Sequence, residues 1–302
     1  MRIASHGVEL KNSIVRLDKV ALSGADVTVC LADSVPEDTT ETKVDWLILL
    51  EEAKISKSHC VVKFNGNELA ADIDDFKAKK GVFNLGDGFY GLANAELRNS
   101  AFCYPPFVDL EKISVLLDSV SYSKNGLLAN IVNASLRENK YGVNVRSLHA
   151  NVATDSVALH VKNCDLQTAY SKITADADMD FKSLNATADN GRFRLALKAD
   201  VGKGDVLLFR NYLPDGILSK IPSTPLQIAT EISGNLNHIN VDTLLISYPN
   251  ALTLKANGSI KGLLHPQAMS KGSRLPKLSL HAKLNCPTVN FITQFIDQQT
   301  LA

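Results

Sequence analysis

Phe193-Arg194-Leu195-Ala196-Leu197 sets the reading of the fold, because an apolar residue at every second position is the pattern of a strand with one apolar face. The same period recurs along the chain: Val27, Val29, Leu31; Val143, Val145; Val157, Leu159, Val161; Leu226, Ile228, Thr230, Ile232; Leu252, Leu254, Ala256; and Leu278, Leu280, Ala282, Leu284. Turn-forming residues punctuate these runs at Ser23-Gly24, Asn65-Gly66, Lys124-Asn125-Gly126, Asp189-Asn190-Gly191 and Asn257-Gly258, and they read as hairpin turns because Asn-Gly tolerates positive φ. Strands of about five to eight residues joined by short turns predict a meander of antiparallel hairpins. The expected class is all-β: an elongated, curved antiparallel sheet, shaped as a β-groove, with one or two short helices. One helix is expected at Gly204–Leu213, capped by Asp205 and stopped before Pro214; a second is expected near Asn290, with Phe291, Phe295 and Ile296 on one face. Ser34–Thr42 reads as a polar surface loop. The 302 residues are expected to form a single elongated segment of a longer protein, with a seam near 204–222.

Composition narrows the function classes. With 45% hydrophobic residues the chain has ample material for a core, and 32 basic against 32 acidic residues leave no positive excess to hold a phosphate backbone. Nucleic acid is therefore not an expected partner. Cys30, Cys60, Cys103, Cys164 and Cys286 are scattered, with no C-x-x-C and no histidine at ligand spacing, so no metal site is expected. The seven histidines lie outside any H-E-x-x-H pattern, and Glu51-Glu52 and Asp74-Asp75 are adjacent pairs whose side chains point to opposite faces of a strand. The glycine-rich stretch Gly81–Gly91 lacks a G-x-G-x-x-G placed between strand and helix and lacks a Walker lysine, so it reads as turn and tight strand packing. No catalytic residue and no cofactor is expected. The run Phe102–Phe107, with Pro105-Pro106, reads as an edge or bend.

A succession of patterns from Leu97 to Leu264 carries a resemblance. In order they are Leu97–Tyr104, Phe107–Val115, the strand ending at Tyr122, Ser135–Val145, Val161–Ser171, the segment Asp205–Leu213, Ile232–Leu236 and Gly258–Leu263. Taken together they resemble the TamB branch of the AsmA-like envelope proteins, in the form found in Bacteroidota. The resemblance implies a long sheet curled into a groove with an apolar interior, anchored in the inner membrane, crossing the periplasm and reaching a BamA-like outer-membrane assembly factor. It also implies phospholipid as cargo. The family's N-terminal anchor and C-terminal domain have no counterpart in these residues, which is why a piece of a longer protein is expected.

The residues agree with that implication. A groove lined by Val, Leu, Ile, Phe and Ala would hold acyl chains by burial alone, at about 0.8 kcal/mol per methylene. The candidate lining residues are Val143, Val145, Val157, Leu159, Val161, Phe193, Leu195, Leu197, Ile228, Ile232, Leu252 and Leu254. Periodicity assigns them to a face without saying what covers it, and a one-residue slip would exchange the faces. The main rival is a non-enzymatic β scaffold or adhesin with a closed core; a β-helical polysaccharide enzyme ranks last, for want of clustered carboxylates.

Overall fold

A computed structural model describes residues 1–30, 45–184, 191–212, 220–262 and 277–287. The expected loop at Ser34–Thr42, Asp189 and Asn190 of the expected turn at Asp189-Asn190-Gly191, and the expected helix near Asn290 lie outside these residues. Sixteen strands account for most of what is described. The chain divides after Ala153 into two units.

In the first unit the strands are β1 (Arg2–Glu9), β2 (Ile14–Ser23), β3 (Asp26–Cys30), β4 (Leu47–Phe64), β5 (Asn67–Asn84), β6 (Phe89–Tyr104), β7 (Val108–Ser123), β8 (Gly126–Glu138) and β9 (Asn144–Thr154). Their order is β1-β2-β4-β5-β6-β7-β8-β9, and from β4 to β8 each strand pairs antiparallel with the next. Asn65-Gly66 and Lys124-Asn125 are hairpin turns, as expected. Ser23-Gly24 is not: β2 and β3 lie end to end and both pair in parallel with β4, so this Gly, at φ +61°, connects collinear strands.

In the second unit, β10 (Ala158–Thr168), β11 (Lys172–Asp180), β12 (Phe193–Val201), β13 (Leu226–Asn235), β14 (His238–Tyr248), β15 (Leu252–Lys261) and β16 (Lys277–Asn285) follow one another in chain order, every pair antiparallel. Asn257-Gly258, expected as a turn, lies inside β15. Gly258, at φ +153°, is needed there because a Cβ would stand 2.1 Å from the Ser279 carbonyl oxygen of β16. The expected helix is a single turn, α1 (Lys203–Val206), continuing as 3-10 helix from Leu207 to Tyr212. Gly202 is its N-cap, and Asp205 sits within the first turn, where its carboxylate accepts a hydrogen bond from the Thr168 hydroxyl.

Strands β4 to β7 have 16 to 18 residues, twice the expected length. The cause is a repeated device. Along β4, the residues that share a face run Ile48, Leu50, Ala53, Ile55, Ser58, Cys60; along β6 they run Tyr90, Leu92, Ala95, Leu97, Ser100, Phe102. The spacing alternates between two and three, so Asp74 and Asp75, expected on opposite faces, instead both fall between Ile73 and Phe76 of the apolar row in β5 and pair with Lys57 and Lys77. A left-handed residue stands directly before the recovered position in five cases: Lys57 (φ 49°), Lys80 (53°), Asn94 (50°), Asn99 (48°) and Lys112 (53°). Each adds a residue without moving the following side chains to the wrong face, as a β-bulge does, and increases local twist. Serine hydroxyls repair two of the interruptions: Ser58 Oγ donates to the Ser56 carbonyl, and Ser100 Oγ donates to the Arg98 carbonyl while accepting the Asp74 amide.

Lys112→Val should therefore destabilise the protein by about 1–2 kcal/mol, because a β-branched residue resists the left-handed region, while Lys112→Gly should be close to neutral. Urea denaturation of both variants measures the difference. A second test concerns the turn before β10, where the Asp155 carboxylate accepts the amides of Val157 and Ala158, each at 2.7 Å. These two bonds hold its carboxyl below the ordinary value of 3.8. Their contribution is complete above that value and is lost as pH falls through it toward the lower folded-state value. Stability of Asp155→Ala should consequently fall less steeply than wild type on acidification below about pH 4, as read by thermal melts across pH.

Candidate functional site

The ladder of the second unit places apolar residues in register on one face. Val161 pairs with Ala177, which pairs with Leu195, and the row continues through Ile232, Val241, Gly258 and Leu280. A second row runs Leu166, Ile173, Ala199, Ile228, Ile246, Leu254, Leu284. Because directly paired residues point the same way, these rows form a continuous apolar surface across seven strands. Thr230 is a polar residue on it, and its hydroxyl donates to the Thr243 carbonyl, which removes its demand for water.

The reverse face is polar in the same register. One row is His160, Asp178, Arg194, Ser233, Asn240, Ser259, Ser279; another is Gln167, Lys172, Asp200, Gln227, Ser247, Thr253, Asn285. Lys162 Nζ donates to Asp178 Oδ2 at 2.6 Å and His160 Nδ1 lies 2.8 Å from Asp178 Oδ1. These contacts, Lys162 first, hold the Asp178 carboxyl below the usual carboxylate range. Both partners are about half exposed, so the pairs mark a solvated face more than they stabilise it. A recess on this side is bounded by His160, Asp178, Asp180, Arg192, Arg194 and His238, whose charges are mixed.

Nine of the twelve candidate lining residues meet on the apolar face of this unit: Leu159, Val161, Phe193, Leu195, Leu197, Ile228, Ile232, Leu252 and Leu254. Val157 does not join them. It lies in the turn before β10, 54% exposed, with its carbonyl taken by the Phe181 amide. Val143 and Val145 belong to the first unit; Val143 stands in the turn before β9, its carbonyl accepting the Glu138 amide, and Val145 is half-buried within β9.

Alternation missed much of the surface. Cys164, Leu166, Val241, Leu244 and Ile246 share the face, but the phase shifts between Val161 and Cys164, beside left-handed Asn163, and again between Val241 and Leu244. Ala175 and Ala177 carry too little apolar bulk to be noticed. The first unit has its own apolar face, with the row Leu22, Ile55, Phe76, Leu97, Val115, Ala134. Its two-then-three spacing was legible only to a search for that period.

The apolar side chains are only partly covered. Leu195, Leu197, Ile228, Ile232 and Leu254 are all half-buried, and among the described residues of the second unit the fully buried apolar ones are the small Ala158, Ala199 and Ala256. Strands pack chiefly against their neighbours in the ladder, and a 3-10 turn at Phe181–Leu184 touches β11 and β13. Burial raises the thiol pKa of Cys164, which behaves as a small apolar side chain. Among the described residues, no three His, Cys, Asp or Glu side chains converge as a metal site, and no helix is long and apolar enough to cross a membrane. Comparison with known proteins returns no match to a family model, to a curated protein or to a solved structure.

The openness of the face has a measurable consequence. Ile228→Asp puts a carboxylate on it; a face in contact with water should tolerate this for less than about 2 kcal/mol, whereas a closed core should lose more than about 4. Urea unfolding, with Gln227→Asp on the reverse face as reference, separates the two.

Proposed function

We propose that this chain is a non-enzymatic segment of a lipid-transfer protein of the TamB-like, envelope-assembly kind, working in the periplasm within a longer protein anchored in the inner membrane. Its cargo is phospholipid, whose acyl chains lie on the apolar face while the head groups stay in water. One observation carries the reading: seven consecutive strands present unbroken apolar rows on one side and polar rows on the other. A soluble protein rarely leaves so wide an apolar surface without a partner. An acyl chain is a suitable partner, since each methylene it buries contributes about 0.8 kcal/mol and the face has few polar groups to desolvate. The proposed link to a BamA-like assembly factor rests on the order of sequence patterns between Leu97 and Leu264.

Native mass spectrometry with lipid extraction tests this. The purified chain should carry phospholipid, and the double variant Leu159→Asp, Leu195→Asp should lose most of it while keeping its far-UV circular dichroism. A stable, lipid-free wild-type protein that also takes up no added phospholipid would instead be a scaffold with a closed core.

A further inference from the structure

The placement of tyrosine and tryptophan differs from that of the other large apolar residues. Tyr90 is the second residue of β6 and Tyr104 its last; Tyr122 is next to last in β7, and Tyr248 ends β14. Tyr141 and Tyr170 lie in the connections after β8 and β10, and Tyr212 ends the 3-10 segment between β12 and β13. Trp46, the single tryptophan, directly precedes β4. All seven tyrosines and the tryptophan thus stand at strand ends or between strands. Phenylalanine is not so restricted, since Phe76 sits in the middle of β5.

In the first unit these rings form two clusters, one at each end of the strands. At one end Phe83 pairs with Tyr90 and Tyr90 with Tyr122 across the ladder, with ring centroids 6.5 and 6.3 Å apart. Trp46 belongs to this end, its carbonyl accepting the Leu85 amide at 2.9 Å. At the other end Phe64 stacks on Tyr104 at 6.0 Å and Tyr104 lies 5.3 Å from Phe107. Tyr90 and Tyr122 are on the apolar face yet 40% and 56% exposed, so their rings lie at its margin. Between the two clusters the face is largely aliphatic, as in the row from Leu22 to Ala134.

A ring with a polar tip is most stable where an apolar body and a wet end are satisfied together, which is why Trp and Tyr collect at the boundary between hydrocarbon and head groups in membranes. We infer that the strand-end aromatics of the first unit, Trp46, Tyr90 and Tyr122 at one margin and Tyr104 at the other, form interfacial girdles that hold the ester and head-group level of a bound phospholipid. The aliphatic interior between them takes the acyl chains. This rests on the lipid-binding reading above and goes beyond it by fixing the depth at which the lipid sits.

Trp46 supplies its own reporter, being the only tryptophan. The purified chain is loaded from detergent with phosphatidylcholine carrying a nitroxide on the acyl chain, either beside the ester or near the terminal methyl, and bound lipid is counted by native mass spectrometry. At equal loading the ester-proximal label should quench Trp46 at least about twofold more strongly than the terminal one, the order expected of an interfacial indole. Equal quenching, or stronger quenching by the terminal label, with lipid bound overturns the girdle and leaves lipid binding standing. No lipid bound by either measure overturns both. Tyr90→Ala with Tyr122→Ala should bring the two quenching values together, whereas Tyr90→Phe with Tyr122→Phe, which keeps the rings, should preserve most of the difference; loss of the difference in neither pair also overturns the girdle.

Discussion

Everything in this fold depends on keeping one set of side chains on one side of a ladder while the strands grow long. A β-strand alternates faces strictly, so a single inserted residue would send every later apolar side chain to the wrong side. The long strands of the first unit avoid this with residues in the left-handed region, at Lys57, Lys80, Asn94, Asn99 and Lys112, each of which absorbs one extra position. Asparagine suits such a position because its short polar side chain bonds locally, and the lysines there are solvent-facing with little steric demand beyond Cβ. The result is apolar rows that stay in register across neighbouring strands even where hydrogen bonding is interrupted.

Those interruptions have local remedies. Ser58 and Ser100 are buried, and each hydroxyl bonds to the carbonyl two residues earlier, so the break in the ladder leaves no stranded acceptor at that point. Lys57, Asp74 and Asn99 then meet on the reverse face, where Lys57 first and Asn99 second hold the Asp74 carboxyl below its usual range. The same positions that bend the strands therefore also supply polar residues to the wet side. Twist, phase and polarity are set together.

The two faces have different chemical potential uses. In the first unit the polar face is laced with exposed ion pairs of both signs, such as Lys19 with Glu52, His59 with Asp72 and Lys63 with Glu68, which keep it hydrated without creating a field of one sign. Among the described residues, no three His, Cys, Asp or Glu side chains converge on the apolar face. Its chemistry is that of burial: Thr230, Ser58 and Ser100 on it spend their hydroxyls on backbone carbonyls, and tyrosine and tryptophan gather at its margins.

How much of this was legible follows from which strands obey plain alternation. In β12, β13, β15 and β16 the period of two is intact, and the residues it singled out, from Phe193 to Leu284, do share a face. The class, antiparallel pairing in these strands, and the turns at Asn65-Gly66 and Lys124-Asn125 follow from local chemistry alone, because alternation and positive φ are properties of neighbouring residues. Tertiary structure decided the rest. Only the register shows that the two-then-three spacing of β4 to β6 is a strand pattern, that Asn257-Gly258 is a close approach to Ser279 within a strand, and that β2 and β3 run parallel to β4. These depend on which strand lies alongside, and a chain read one residue at a time contains the side chains but not the neighbour that gives each of them its face.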